Sequence, residues 1–280
     1  MEEKYKQLVA RLVEARDVYS AIAVLNWDQS TYMPAGGAAA RARHMATLEG
    51  IAHQKFTDPA IGKLLDELKD YEKSLPYDSD EASMIRVARR EYEKAVRGPA
   101  AFAAEMAGHA ATTYDAWTRA RPANDFAAMR PLLEKTLDLS RQYAGFFPGY
   151  EHIADPLIDN ADYGMKASTV SAIFAELRKQ LVPIVNAITA QPPADDSCLR
   201  QRFPKQKQLA FAEKVVRSFG YDYDRGRLDL THHPFETTFA LGDVRITTRV
   251  DEHNLAECLF GTMHESGHAM YEQGGNPAHD

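Results

Sequence analysis

The chain has 280 residues, 45% of them hydrophobic and 26% charged, with a net charge of −7. That length suits one large domain or two small ones, with enough core that no disulfide framework is needed. The balance excludes disordered, collagen-like and rod-like chains. No apolar run approaches the ~18–20 residues of a membrane span, and no basic stripe marks a nucleic-acid binder. Residues Met1 to Lys6 carry no apolar segment and do not read as a signal peptide. Cys198 and Cys258 lie far apart without a Cys-x-x-Cys spacing, so they read as reduced thiols of a cytoplasmic protein.

In chain order, Tyr5, Leu8, Val9, Leu12, Ala15, Tyr19 and Ile22 recur at steps of three and four and predict an amphipathic helix. Trp27-Asp28 and Met33-Pro34 interrupt that pattern. A second helix is expected over Ala38 to Ala52, and a third over 79–97 with Gly98 as its stop. Pro99 suits the first turn of the next helix. Further helices fit 125–146, 168–190 with a kink at Pro183, and 204–219 ending at Gly220. Near residue 227 the pattern changes. Phe235 to Phe239 and Val244 to Val250 alternate around Leu241-Gly242-Asp243, which predicts a β-hairpin. Asn254 then caps a helix through Leu255, Leu259, His264 and Met270 to about Gly274. The expectation is one domain, with 1–226 helical, 227–250 a hairpin and 251–274 the last helix.

That last helix carries His264-Glu265-Ser266-Gly267-His268, an H-E-x-x-H pattern. Residues four apart share a helix face, so His264 and His268 can aim imidazoles at one metal. Glu265, rotated by about 100°, can reach a water there without being a ligand. In such sites zinc brings a water's pKa to about 7 and the carboxylate takes its proton, the opening step of peptide hydrolysis. Catalytic zinc needs a third protein ligand. The extended pattern would place a His at 274 and a Gly at 271, where the chain has Gly274 and Tyr271. Glu272 lies two turns from His264, about 12 Å along a regular helix. His279 and Asp280 could fold back only as terminal residues.

Several segments together resemble the carboxypeptidase Taq family of metallocarboxypeptidases. Trp27 to Ala39, followed by Arg41 and Arg43, resembles that family's opening signature. Asp155 to Met165 resembles its mid-chain stretch, with Asp162-Tyr163-Gly164 where the family has Glu-Pro-Gly. His233-Pro234-Phe235 and Asp243-x-Arg245-x-Thr247 match two short motifs, and His264 to His268 follows at the expected distance. The resemblance implies a mainly α, saddle-like helical fold with a deep groove and a small sheet beside the zinc helix. It implies a cytoplasmic homodimer that releases single C-terminal residues from peptides with broad specificity, disfavouring proline beside the bond. Zinc is the implied metal, with cobalt as a substitute. His264 and His268 become its ligands, Glu265 the general base, and Arg245, Thr247 and His233 the substrate contacts. The family's third ligand is a Glu further along, in an H-E-S motif. The chain therefore reads as an N-terminal portion, inactive or weakly active alone.

Two alternatives stand beside this reading, a non-catalytic helical fragment or interaction module, and a zinc peptidase that cuts internally. Arg245 could hold a terminal carboxylate, or could pair with Asp243 to fix the hairpin. His233 reads equally as a packed loop residue, and Trp27 as a core or groove-wall anchor. Arg41, Arg43 and the Arg86 to Arg90 charges read as solvated helix faces.

Overall fold

A computed structural model describes residues 1–277. Eleven α-helices and three strands are assigned among them, and the chain divides into two compact units. One unit holds Met1–Arg119 and the segment from Ser197 onward, and the other Ala120–Asp196.

The first unit opens with α1 (Glu2–Thr31), α2 (Ala38–Phe56), α3 (Pro59–Glu67), α4 (Lys69–Ser74), α5 (Asp80–Ala95) and most of α6 (Ala100–Ala120). The expected interruption at Trp27-Asp28 does not occur. Neither residue breaks a helix, Trp27 is buried, and Asp28 pairs with Arg41 at 2.5 Å, so α1 runs on to Thr31. Pro34, which lacks the N–H, comes just after. Leu8 of α1 meets Ile61, Leu64, Leu65, Leu68, Ile85 and Ala88 in a buried cluster. The α3 start is a side-chain cap, with Asp58 accepting from the Ala60 N–H at 2.8 Å and Pro59 in the first turn. Ser79 caps α5 in the same way.

Two expected surface charges are not solvated. Arg41 donates to Asp28 and to the Leu25 carbonyl with its side chain 13% exposed. Arg89 donates to the Leu65 carbonyl at 2.7 Å and pairs with Glu72 at 3.2 Å. Each ties one helix to another, so charge alone misled the surface reading.

The second unit contains α7 (Phe126–Gly145), α8 (Asp155–Ala161) and α9 (Ala167–Thr189). α9 continues through Pro183. Asp155 is buried and accepts from the backbone N–H groups of His152 and Ala167, at 3.1 and 2.8 Å. Those bonds, the Ala167 one first, hold its carboxyl below the usual carboxylate range against the opposing effect of desolvation.

The chain then returns to the first unit with α10 (Lys205–Phe219), which Gly220 ends at φ +113°, a left-handed cap that glycine adopts without strain. Three strands follow, β1 (Leu228–Leu230), β2 (Glu236–Ala240) and β3 (Asp243–Thr248), and then α11 (Leu255–Gln273). The sheet order is β1-β3-β2. The expected hairpin is the antiparallel β2–β3 pair, and β1 adds to it in parallel. A three-residue strand carries too little alternation to be read from sequence. Leu228, Ile246 and Glu236 align across the sheet and share a face. Val216, Tyr221, Val244, Ile246 and Ala269 form the second buried cluster between that face, α10 and α11. Gly226 allows the close approach at its edge, because a Cβ there would lie 2.2 Å from both the Tyr221 hydroxyl and the Val244 carbonyl.

Candidate metal centre

α11 is held on the sheet along its length. Ala269, Met263 and Met270 pack against Val244 and Ile246. Midway along it, the Thr262 hydroxyl donates to the Cys258 carbonyl at 2.7 Å and lies within hydrogen-bond distance of the Thr248 hydroxyl, at 3.0 Å. Gly261 brings the helix close to Pro234 of the His-Pro-Phe segment. At its end, Gln273 accepts from the Asp222 N–H at 2.9 Å and donates to the Asp222 carbonyl at 2.8 Å. These contacts fix the rotation of the helix and therefore the direction of every side chain on it.

His264 and His268 are exposed on the flank of that helix. Their Nε2 atoms lie 3.3 Å apart, with ring planes at 80°. Two imidazole nitrogens bound tetrahedrally to zinc at about 2.0–2.1 Å stand about 3.3–3.4 Å from one another. The pair therefore fits two adjacent ligand positions on one ion. Glu265 is 8% exposed, and its carboxylate makes no hydrogen bond or ion pair among the described residues. A buried carboxylate is costly unless paired, and one held free beside two imidazoles is available for proton transfer.

Glu236 was not singled out in the sequence, although strand alternation would have placed it. Sharing the face of Ile246, it looks toward α11. Its carboxyl is pushed up mainly by burial, with Glu272 and Glu265 acting in the same direction and the Thr238 hydroxyl and His268 against it. Among the described residues, no group of three His, Cys, Asp or Glu side chains is placed to hold a metal. His264 and His268 fit; a third ligand does not come from these residues. His279 and Asp280 lie outside the described residues.

The remaining expected contacts lie elsewhere. Alternation turns Arg245 and Thr247 to the opposite face of β3 from Ile246. There Asp243 holds Arg245 by two bonds of 2.7 Å, while the guanidinium stacks over Trp27 at 4.3 Å and Phe239 at 4.8 Å. Arg227 stacks on Trp27 at 5.2 Å and binds Asp229 through two nitrogens, at 2.6 and 2.7 Å. Tyr32 donates to the same carboxylate. Thr247 is fully buried, bonding the Phe235 N–H at 2.8 Å and its carbonyl at 2.9 Å. His233 is exposed and meets Trp117 edge-on at 6.5 Å. The structure thus brings together His264, Glu265, His268 and Glu236, and separates Arg245 and Thr247 from them by the thickness of the sheet.

Comparison with known proteins places the chain in a family. The profile of the carboxypeptidase Taq (M32) metallopeptidase family matches residues 7–280. Thermostable carboxypeptidase 1 of Thermus thermophilus is 36% identical over 98% of this chain and 56% of its own length. Carboxypeptidase 1 of Bacillus subtilis is 33% identical over 97% of this chain and 54% of its own. The crystal structure of the M32 carboxypeptidase from Deinococcus radiodurans R1 is 47% identical, with a TM-score of 0.82, covering 99% of this chain and 55% of that one. The chain spans about half the length of the curated relatives it matches. With a matching profile over nearly all of its residues and a mainly helical fold shared with solved relatives, the chain belongs to the carboxypeptidase Taq family of metallopeptidases.

Proposed function

We propose that this chain supplies two metal ligands, His264 and His268, and the general base, Glu265, of a carboxypeptidase that releases single C-terminal residues from peptides. Zinc is the proposed metal, with cobalt as a substitute, and the proposed setting is a cytoplasmic homodimer of broad specificity acting in one domain. The observation that carries the reading is the 3.3 Å separation of the two Nε2 atoms beside an unpartnered, buried Glu265. When bound, the metal supplies Lewis-acid polarisation of the scissile carbonyl and lowers the pKa of a water. Glu265 accepts a proton at its carboxylate oxygen and passes it to the departing amine. The two imidazoles must be neutral at Nε2 to serve, so metal retention falls on acidification. Arg245 and Thr247 enter this reading only as supports of the sheet, because their polar atoms are already engaged on its far face. His233 sits in the loop whose Pro234 lies close to Gly261 of α11, and is retained as a candidate substrate contact.

Metal titration followed by calorimetry tests this reading. One zinc per chain, lost in His264→Ala and retained in Arg245→Lys, is the expected result; equal zinc binding by wild type and His264→Ala would overturn it. Product analysis separates single released residues from internal cleavage.

A second reading, that of an interaction module, draws on α9. Phe174, Leu177, Leu181, Ile184 and Ile188 repeat at three and four residues, and are 47–65% exposed. That is the spacing of a helix-packing seam. Light scattering on wild type and Leu181→Asp would reveal association through it.

A further inference from the structure

The outer edge of β1 leaves hydrogen-bonding groups unused, and a cavity lies against that edge. β1 is the outer strand, paired only with β3. In that pairing the Arg227 carbonyl accepts from Ile246, and the Thr231 N–H donates to the Thr248 carbonyl. Strand alternation therefore turns the N–H and C=O groups of Leu228 and Leu230 away from β3. Neither residue's backbone has a partner on that side among the described residues. Unpaired edge groups are a template for another extended chain.

Beside this edge lies a cavity of about 400 Å³, walled by β1, by Leu209 and Glu213 of α10, and by Tyr223. That volume falls within the roughly 300–1,000 Å³ of ordinary ligand sites. Leu209, Leu228 and Leu230 make the wall largely apolar, and Glu213, Asp229 and Arg227 add two negative charges and one positive. The buried Tyr223 hydroxyl in the same wall has no hydrogen-bond partner. A helix could not satisfy the edge, because its own N–H and C=O groups are already bonded. An extended backbone could.

We propose that the outer edge of β1 and the cavity between it and α10 form a binding site for an extended peptide segment, added as a fourth strand. The site recognises main chain through Leu228 and Leu230, and takes small apolar side chains against Leu209. Both wall carboxylates are already paired, Asp229 with Arg227 and Glu213 with Arg217, so the site selects main chain and not peptide charge. It is separate from the histidine pair and does not depend on that pair's function.

The test is a ¹⁵N–¹H titration of the whole chain with a short peptide of alternating valine and threonine. Both peptide ends are blocked, so a centre that requires a free C-terminal carboxylate does not hold it. The largest shifts are expected at the Leu228 and Leu230 amides. Methylating alternate peptide nitrogens should weaken binding about tenfold or more, the equivalent of one or two lost hydrogen bonds. Leu230→Pro, which removes one outward N–H at an edge position that tolerates proline, should weaken binding similarly. Leu209→Trp should abolish it by filling the cavity; circular dichroism checks that both variants fold. Equal binding of the methylated peptide, shifts confined to other residues, or no shift at saturating peptide would each overturn the proposal. So would concentration-dependent shifts at Leu228 and Leu230 without peptide, since a second copy would then own the edge.

Discussion

The two faces of β3 carry charged and polar residues of similar type and treat them in opposite ways. On one face Arg245, Arg227, Asp229 and Asp243 are saturated. Each guanidinium holds a carboxylate through two nitrogens, and Trp27 lies against both. On the other face, α11 presents two exposed imidazoles whose only hydrogen-bonding partners among the described residues are each other, beside a Glu265 with no hydrogen bond or ion pair among them. Motif residues whose bonding is complete support the fold, and those whose bonding is left open are the ones proposed to take a metal. Asp155 extends the contrast to the second unit, since it is as buried as Glu265 yet fully committed to backbone N–H groups.

Substitutions on the two faces should therefore fail differently. In the proposed metal-loaded carboxypeptidase, Glu265→Gln is expected to reduce turnover by roughly 10²–10⁴-fold, with metal content and melting temperature unchanged. A loss of stability instead would erase the distinction between the faces. His268→Ala should weaken zinc binding by more than the roughly 10–100-fold typical of losing an outer-shell partner, as read by competition with a chelator.

On the saturated face, Trp27→Ala should destabilise by about 3–5 kcal/mol, as for other buried aromatic truncations, measured by denaturant unfolding. Arg245→Lys keeps the charge but loses the two-pronged grip on Asp243. The pair is partly exposed, so the expected cost is only about 1 kcal/mol. A selective rise in KM in the active enzyme, with unchanged melting temperature, would reassign Arg245 to the substrate.

Asp155→Asn should show the smallest effect and a distinctive pH dependence. The carboxyl titrates lower in the folded chain than its ordinary value. Its stabilisation is therefore present above the ordinary carboxylate range and disappears as pH falls through the lowered folded value. Wild type and variant should converge in acid, and unfolding curves from pH 7 downward would show it.

Much of this molecule is legible in its residues. The α10 helix lies between Pro204 and Gly220, because proline suits a helix start and only glycine adopts φ +113° without strain. The β2–β3 pair follows from alternation around Gly242, and α11 from spacing that also aligns its histidines. These features depend on neighbours within a few residues, and chain chemistry alone determines them.

What tertiary structure decided depends on distant partners. Whether Arg245 is free or spent turns on Asp243 together with Trp27, more than two hundred positions away, and on which face of the sheet packs on α1. The parallel partner of β3 is three residues long, and only its ladder to Ile246, Thr247 and Thr248 makes it a strand. Glu236 joins the face toward α11 only because Ile246 lies opposite it. Spacing told which side chains could share a metal; the register of a small sheet decided which charges stand beside it and which stand behind.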